Sequence, residues 1–338
     1  MSSISHISLI LPGVFERLGD WSHDGPLPLF PAIERVLSLS DKNEVGVLGY
    51  EPTLWTLFNP QYSQEEELPV GAQLSGINKG QVCCADPVHL RLEMGRLILI
   101  DQSQFIFRED ERAAFSALIN GYIKDIGGQY FFDNNGRGFL ALKQSRSVGT
   151  TPLSQVIGKS IHSKMPEGER QAFWHQLINE LQMLLHSAPF NADRRRRGEP
   201  EVNAVWMWGA GQQQKPMVAQ HNNVYCNEPF AWELAKSEGI SVRPLPMMFD
   251  VSMLSSSGPS LVVLNDLLAH SQYDNFPGWQ VVMERYCVDW LMPLLDAVKK
   301  KRLRHLSLYP CNGTRYTLQP GQYRRFWRRL KPLLSYLD

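Results

Sequence analysis

The alternation and spacing of apolar residues divide the chain into short elements. Ile4–Leu11 is an apolar β-type run stopped by Pro12-Gly13, and Pro31–Leu39 has helical spacing opened by a proline. Val45–Leu48 reads as a second strand. This strand, helix, strand opening puts the turn after the first strand where α/β proteins place their ligands. Gln61–Gly80 is polar, contains Glu65, Glu66 and Glu67 with several glycines, and is expected as a loop and a boundary.

Beyond that loop the pattern changes. Val82–Leu92 and Arg96–Ile100 read as strands around Met94-Gly95, Arg112–Ile126 as an amphipathic helix, and Gln129–Phe132 and Gly138–Leu142 as strands around an Asn134-Asn135-Gly136 turn. That order is a compact α+β lobe. Glu169–His186 has a helical stripe of Phe173, Leu177, Leu181, Leu184 and Leu185, ending before Pro189. Later segments alternate. Val202–Trp208 reads as a strand, Pro229–Glu238 as a helix, Ser260–Leu268 as a strand running into a turn or helix, Trp279–Lys300 as a long helix, and Leu303–Tyr309 as a final core strand. Strands alternating with helices predict an α/β protein with a largely parallel sheet sandwiched by helices.

Composition narrows the function classes. With 338 residues, 43% of them hydrophobic, the chain can build a sizeable core; Lys+Arg and Asp+Glu number 34 each, which removes the basic field of a dedicated nucleic-acid binder. Any anion site is therefore local. No run approaches the roughly 18 apolar residues of a membrane span, and the first residues show no basic leader, so a cytoplasmic protein is expected. Cys83, Cys84, Cys226, Cys287 and Cys311 form an odd set without a C-x-x-C pair, as reduced thiols do.

Candidate chemistry concentrates in Phe190–Gly211, FNADRRRRGEPEVNAVWMWGAG. Arginine offers a planar fork of donors for carboxylate and phosphate oxygens, asparagine fixes a hydroxyl or oxyanion, and glycine lets backbone N–H groups approach an anion. The alternative is a solvated basic turn followed by a buried strand, and for Arg195, Arg196 and Arg197 the solvated turn is the expectation.

In order along the chain, the opening strand, LPLFPAIERVL, LGYEP at Leu48–Pro52, the VHLRLEMGRLILID hairpin and the LLH…PFNADRRRRG…NAVWMWGAG run resemble segments of the archaeal-type cofactor-independent phosphoglycerate mutases, of the alkaline phosphatase superfamily. CCADPVHLR, LQMLLH and LNDLL…GW…DWLMPLL are similar to bacterial phosphoglycerate-mutase-like and RpfE-type regulatory proteins. The resemblance implies an alkaline-phosphatase-like core over residues 1–78 and 204–338, with an inserted α+β lobe and connecting helix over 79–203. It matches Asn191 and Arg194 to the family's N-x-x-R, Asn203 to a later Asn, and Trp206, Trp208, Gly209 and Gly211 to W-x-W-G-x-G, and so implies a pocket for a small anionic metabolite.

The same resemblance exposes gaps. Mutases of this kind use two divalent metals held by Asp and His to activate a Ser or Thr. Where the family's first strand ends in a metal-binding Asp before Gly, this chain has Leu11-Pro12-Gly13. Asp266 and His270, four apart, match a family pair, with Asp274 nearby, as possible metal ligands; the family's later Asp-His falls at about Tyr309-Pro310. Thr53 and Thr56 are the nearest nucleophile candidates. The expectation is a catalytically degenerate, regulatory protein that needs no cofactor and binds a small phosphorylated or carboxylated metabolite. One alternative is an active phosphomutase or phosphohydrolase using Mn²⁺, Mg²⁺ or Zn²⁺.

Two further features complete the reading. Asp86 and His89 point to opposite faces if strand alternation persists, which opposes a shared role. GQYRRFWRRLKPLLSYLD puts Tyr323, Phe326, Trp327, Leu330 and Leu334 on one helical face beside Arg324, Arg325, Arg328 and Arg329. The expected outcome is a helix with docked aromatics and solvated arginines; the alternative is a surface for a protein partner. No GxGxxG, Walker, H-E-x-x-H or G-x-S-x-G motif is present, which argues against the common nucleotide, zincin and hydrolase classes.

Overall fold

The computed structural model describes residues 5–62, 67–77, 80–144, 148–212, 220–254, 258–325 and 327–337; Ile4, Glu65, Glu66 and Phe326 lie outside them. Its strands are β1 (His6–Ile10), β2 (Asp41–Leu48), β3 (Gln81–Glu93), β4 (Arg96–Ile100), β5 (Gly128–Phe132), β6 (Gly138–Leu142), β7 (Ala204–Gly211), β8 (Asn223–Tyr225), β9 (Ser241–Arg243), β10 (Ser260–Val263), β11 (His305–Tyr309) and β12 (Asn312–Leu318). The chain divides into two compact units, Met1–Gln64 with Lys215–Asp338, and Glu65–Gln214.

The first unit is built on a seven-stranded sheet in the order β2-β12-β11-β1-β10-β8-β9. Strands β9, β8, β10, β1 and β11 run parallel, and β12 and β2 close one edge antiparallel. The mixed α/β class with a parallel-rich sheet is thus observed. Strand β2 sits at the edge because most of its side chains are exposed. Ile7, Leu9, Val262, Leu306 and Leu308 enter one apolar core with helices Pro31–Leu39, Phe276–Tyr286 and Met292–Lys299. The expected long helix over Trp279–Lys300 is interrupted by a π turn at Cys287–Leu291, just before Pro293. Helices Tyr50–Phe58 and Pro229–Ser237 lie outside this core and meet through Trp55 and Phe230, stacked at 6.4 Å.

The second unit holds an antiparallel sheet in which β3 carries β4 and β6 on consecutive halves of one side and β7 on the other. Helices Glu109–Ile123 and Gln171–His186 supply its core with Phe115, Ile119, Trp174, Leu177 and Leu181. The Asn134–Gly136 turn closes the β5–β6 hairpin as read, with Gly136 at φ 82°. Strand β7 pairs with β3 inside this unit, so the expected boundary at residue 204 is displaced to the region of residue 214.

Two expectations fail for local reasons. The Gln61–Gly80 segment contains a helix, Val70–Ser75, whose Gly71 lies so close to β3 that an added Cβ would sit 2.5 Å from Cys83 Cα. Among its described residues the C-terminal segment forms only the 3₁₀ turns Gln322–Arg324 and Leu333–Tyr336. Arg325 and Arg328 are drawn onto Asp41, Arg328 also binds the Ser40 carbonyl at 2.5 Å, and Trp327 is left 65% exposed. The docked amphipathic helix is therefore absent there. Among the described residues no helix is long and apolar enough to cross a membrane.

Candidate functional site

Ligands of open α/β sheets gather beyond the carboxyl ends of the parallel strands. Here β1 runs out into Leu11-Pro12-Gly13. Gly13 adopts φ 85°, an added Cβ would lie 2.6 Å from the backbone of Leu267, and its carbonyl accepts from Trp279 Nε1 at 2.7 Å. The turn is thus kept by packing. The neighbouring carboxylates are engaged by the fold: Glu16 accepts from the Gly13 and Phe15 amides, and Glu228 caps Phe230 and Ala231 while accepting the Tyr50 hydroxyl at 2.7 Å.

No activated nucleophile emerges among the candidates at this edge. Thr53 Oγ1 donates to the Gly49 carbonyl at 2.7 Å and Thr56 Oγ1 to that of Thr53, so both protons are spent on helical backbone. Cys311, at φ 66° in the β11–β12 turn, has its thiol pushed well up by burial and by Glu16 and Glu51 nearby. It stays protonated.

The three metal-ligand candidates lie close in sequence but address different partners. Asp266 pairs with Arg285 at 2.5 Å, His270 Nδ1 meets Asn275 Nδ2 at 3.0 Å, and Asp274 Oδ1 accepts from Trp21 Nε1 at 2.6 Å. Asp274 stands in the left-handed region, φ 53°, as the chain turns from the helix Asp266–Gln272 toward Phe276. Among the described residues no group of three His, Cys, Asp or Glu side chains is arranged to hold a metal. As placed, the donor set does not fit a two-metal cage.

The Asn/Arg run is also placed differently from its reading as an open pocket. Pro189–Arg196 is a helix, and its inward residues are sealed. Asn191, 0% exposed, donates to the carbonyls of Leu185 (2.8 Å) and Val202 (3.0 Å) and accepts from the Val202 amide (2.9 Å). Arg194, also 0% exposed, donates to Pro200 and Ile106 carbonyls and to Glu111 at 2.6 Å, with Phe105 and Phe107 against its guanidinium. Arg195, Arg196 and Arg197 are exposed, as the solvated reading expects, but lie at a helix end where Arg195 pairs with Glu201, Arg196 with Asp193, and Arg197 with Glu111 and Glu199. Arg108 and Arg197 hold the Glu199 carboxyl down at about 2.

The remaining matches are structural contacts of the same kind. Asn203 bridges the Leu90 amide and carbonyl, Trp206 Nε1 donates to the Thr151 carbonyl, and Trp208 Nε1 donates to Asp86 at 2.7 Å. Gly209 and Gly211 admit Val70 and Pro69, whose Cβ atoms would meet an added Cβ at 2.9 and 2.8 Å. Asp86 and His89 separate as expected, His89 Nδ1 lying 2.8 Å from the Glu201 carbonyl.

One constellation escaped the sequence reading. Strands β1 and β11 carry the same His-x-Ser pattern in register, His6 beside His305 and Ser8 beside Ser307, with Tyr309 following. His6 Nε2 lies 3.1 Å from Ser307 Oγ, and His221 Nε2 lies 2.9 Å from Ser8 Oγ. Burial, His305 and Arg315 lower His6 to about 4, while burial and His6 lower His221 to about 3. The signal was the repeated polar alternation in two strands that otherwise read as core.

No family model matches the chain. It is 25% identical over 179 residues to a 2,3-bisphosphoglycerate-independent phosphoglycerate mutase of Methanosarcina barkeri, covering 51% of this chain and 42% of that protein. A mutase of the same name from Methanothrix thermoacetophila is 23% identical over 187 residues, covering 55% and 44%. The chain resembles the cofactor-independent phosphoglycerate mutases. The matches span less than half the length of those relatives. Among solved structures, the PH0037 protein of Pyrococcus horikoshii superposes with a TM-score of 0.52 at 13% identity over 94% of this chain and 88% of its own, a likeness of fold.

Proposed function

We propose that this phosphoglycerate-mutase-like protein binds a small phosphorylated or carboxylated metabolite and does not interconvert it by two-metal phosphoryl transfer. The observation that carries this reading is the carboxyl edge of the parallel sheet. Leu11 and Pro12 cannot ligate a metal, Asp266, His270 and Asp274 diverge to Arg285, Asn275 and Trp21, and the hydroxyls of Thr53 and Thr56 are spent on carbonyls. Two-metal chemistry needs several ligands converging on one point and a nucleophile facing it. A protein that holds the metabolite without turning it over reports its concentration, so the role is regulatory.

The test is thermal stabilisation and calorimetric titration with 3-phosphoglycerate, in EDTA and again with Mn²⁺, Mg²⁺ or Zn²⁺, alongside a mutase assay. A ligand that binds only the native state raises the melting temperature. Stabilisation in EDTA without turnover is the expected result. Metal-dependent turnover lost in Asp266→Ala and His270→Ala overturns it, as does no response to the phospho-acid under any condition.

A further inference from the structure

The parallel sheet of the first unit has two unlike faces. Ile7, Leu9, Leu306 and Leu308 point into the large apolar core. Strand alternation therefore turns His6, Ser8, His305, Ser307 and Tyr309 to the opposite face, where β10 contributes Leu261 and β8 contributes Val224. Central parallel strands ordinarily read as continuous apolar runs on both faces. Here Ser8 and Ser307 are 1% and 4% exposed, between histidines. Arg315 of β12 and His221, which precedes β8, add to the same group: Arg315 acts on both His6 and Tyr309, and His221 feels His6.

Two features distinguish this group from a satisfied structural network. Among the described residues, His221, 5% exposed, has its Nδ1 buried without a hydrogen-bond partner, and Arg315 Nε is buried and equally unpartnered. In the tautomer that accepts from Ser8 at Nε2, the His221 proton sits on Nδ1 as an unused donor. The charges are also one-sided. His305 and Tyr309 on β11, Arg315 on β12 and His221 are the titratable or charged groups acting around His6, and the electrostatic partners of His6 and His221 are all cationic or imidazole. Arg315 is half-buried and bonded to Tyr309, and among the described residues no carboxylate forms a salt bridge with it, so its permanent charge calls for an anion.

We infer that this face carries an oxyanion seat, in which Arg315 and His221 donate to a phosphate- or carboxylate-type group and His6, His305 and the Ser8 and Ser307 hydroxyls line it. The seat deepens the reading above by locating the negative end of the metabolite, and it rests on that reading only for the metabolite's identity. Burial first, and then repulsion, keeps His6 and His221 neutral; an anion here offsets both, so binding takes up protons and tightens as pH falls below 7.

The experiment titrates the full chain with inorganic phosphate, and separately with acetate, at constant ionic strength in chloride, by calorimetry and by ¹⁵N-imidazole NMR. Phosphate is expected to shift the His6, His221 and His305 resonances in the wild-type protein. Its affinity falls by about tenfold or more in Arg315→Gln and in His221→Asn, each checked for wild-type circular dichroism. The relative response to phosphate and acetate tells which oxyanion the seat prefers. Absence of imidazole shifts with both anions overturns the seat, as does phosphate affinity unchanged in both variants. 3-Phosphoglycerate binding that survives both variants keeps the metabolite reading and removes the seat; phosphate binding at the seat without 3-phosphoglycerate binding does the reverse.

Discussion

The two polar regions of this protein differ in how the fold matches their charge. In the Asn/Arg run, Asn191 makes three bonds to backbone and Arg194 makes bonds to two carbonyls and one carboxylate; its Nη2 is buried without a partner among the described residues, but Glu111 matches its charge. On the sheet face, among the described residues, His221 and Arg315 keep buried nitrogens without partners, and no carboxylate is among the groups acting on the two histidines. The difference teaches that a residue set typical of anion recognition points to a ligand where its charge remains unmatched. The first region reads as a structural staple, the second as a site.

The comparison breaks most sharply at Arg194. If the guanidinium is a staple, Arg194→Met strips the Pro200 and Ile106 carbonyls of their donor and leaves Glu111 to Arg197 and Arg108, which lowers unfolding free energy by about 2–4 kcal/mol, measured in urea. A variant that folds with unchanged stability but loses 3-phosphoglycerate binding reverses the assignment of the two regions. Gly209→Ala tests the wall of the same unit. At φ 62°, with Val70 Cβ 2.9 Å from the added methyl, a loss of about 1–3 kcal/mol is expected by thermal denaturation.

The histidines sharpen the other half. Their folded values, about 4 for His6 and about 3 for His221, lie below the ordinary 6.5, so the unfolded chain binds more protons in that interval. Their contribution to stability is complete above pH 6.5 and is lost as pH falls toward 4 and then 3. Melting temperatures measured across this window should fall less steeply in His6→Asn, and less steeply in phosphate than in chloride. The smallest effect belongs to Asp266→Asn. Its pair with Arg285 is half-exposed on both sides, so stability changes by less than about 1 kcal/mol, and 3-phosphoglycerate binding in EDTA is unaffected, as calorimetry can show.

Periodicity located elements well where both faces of an element are decided by its own side chains. Pro31–Leu39, Arg96–Ile100 and Gly138–Leu142 form where the pattern puts them, and the β5–β6 hairpin follows from Asn134-Asn135-Gly136. It missed the helix Val70–Ser75, because what holds that segment is the closeness of Gly71 to Cys83 of β3, a contact with no local signature. The C-terminal stripe misled in the opposite direction. Helical spacing of Tyr323, Trp327, Leu330 and Leu334 was real, but Asp41 drew Arg325 and Arg328 into a non-helical path.

By itself, the sequence determined the α/β class, the strand-helix alternation, the Leu11-Pro12-Gly13 end of the first strand and the resemblance to phosphoglycerate mutases. These follow from residue order and local preference. Tertiary structure decided which polar groups are available, because a donor's freedom depends on what lies opposite it in space. Glu111 is 83 residues from Arg194 in the chain and matches its charge. Strand register alone brings His6 beside His305 and Ser8 beside Ser307, nearly the whole length of the chain apart, and so makes a charged, partly unsatisfied face from two unremarked His-x-Ser steps.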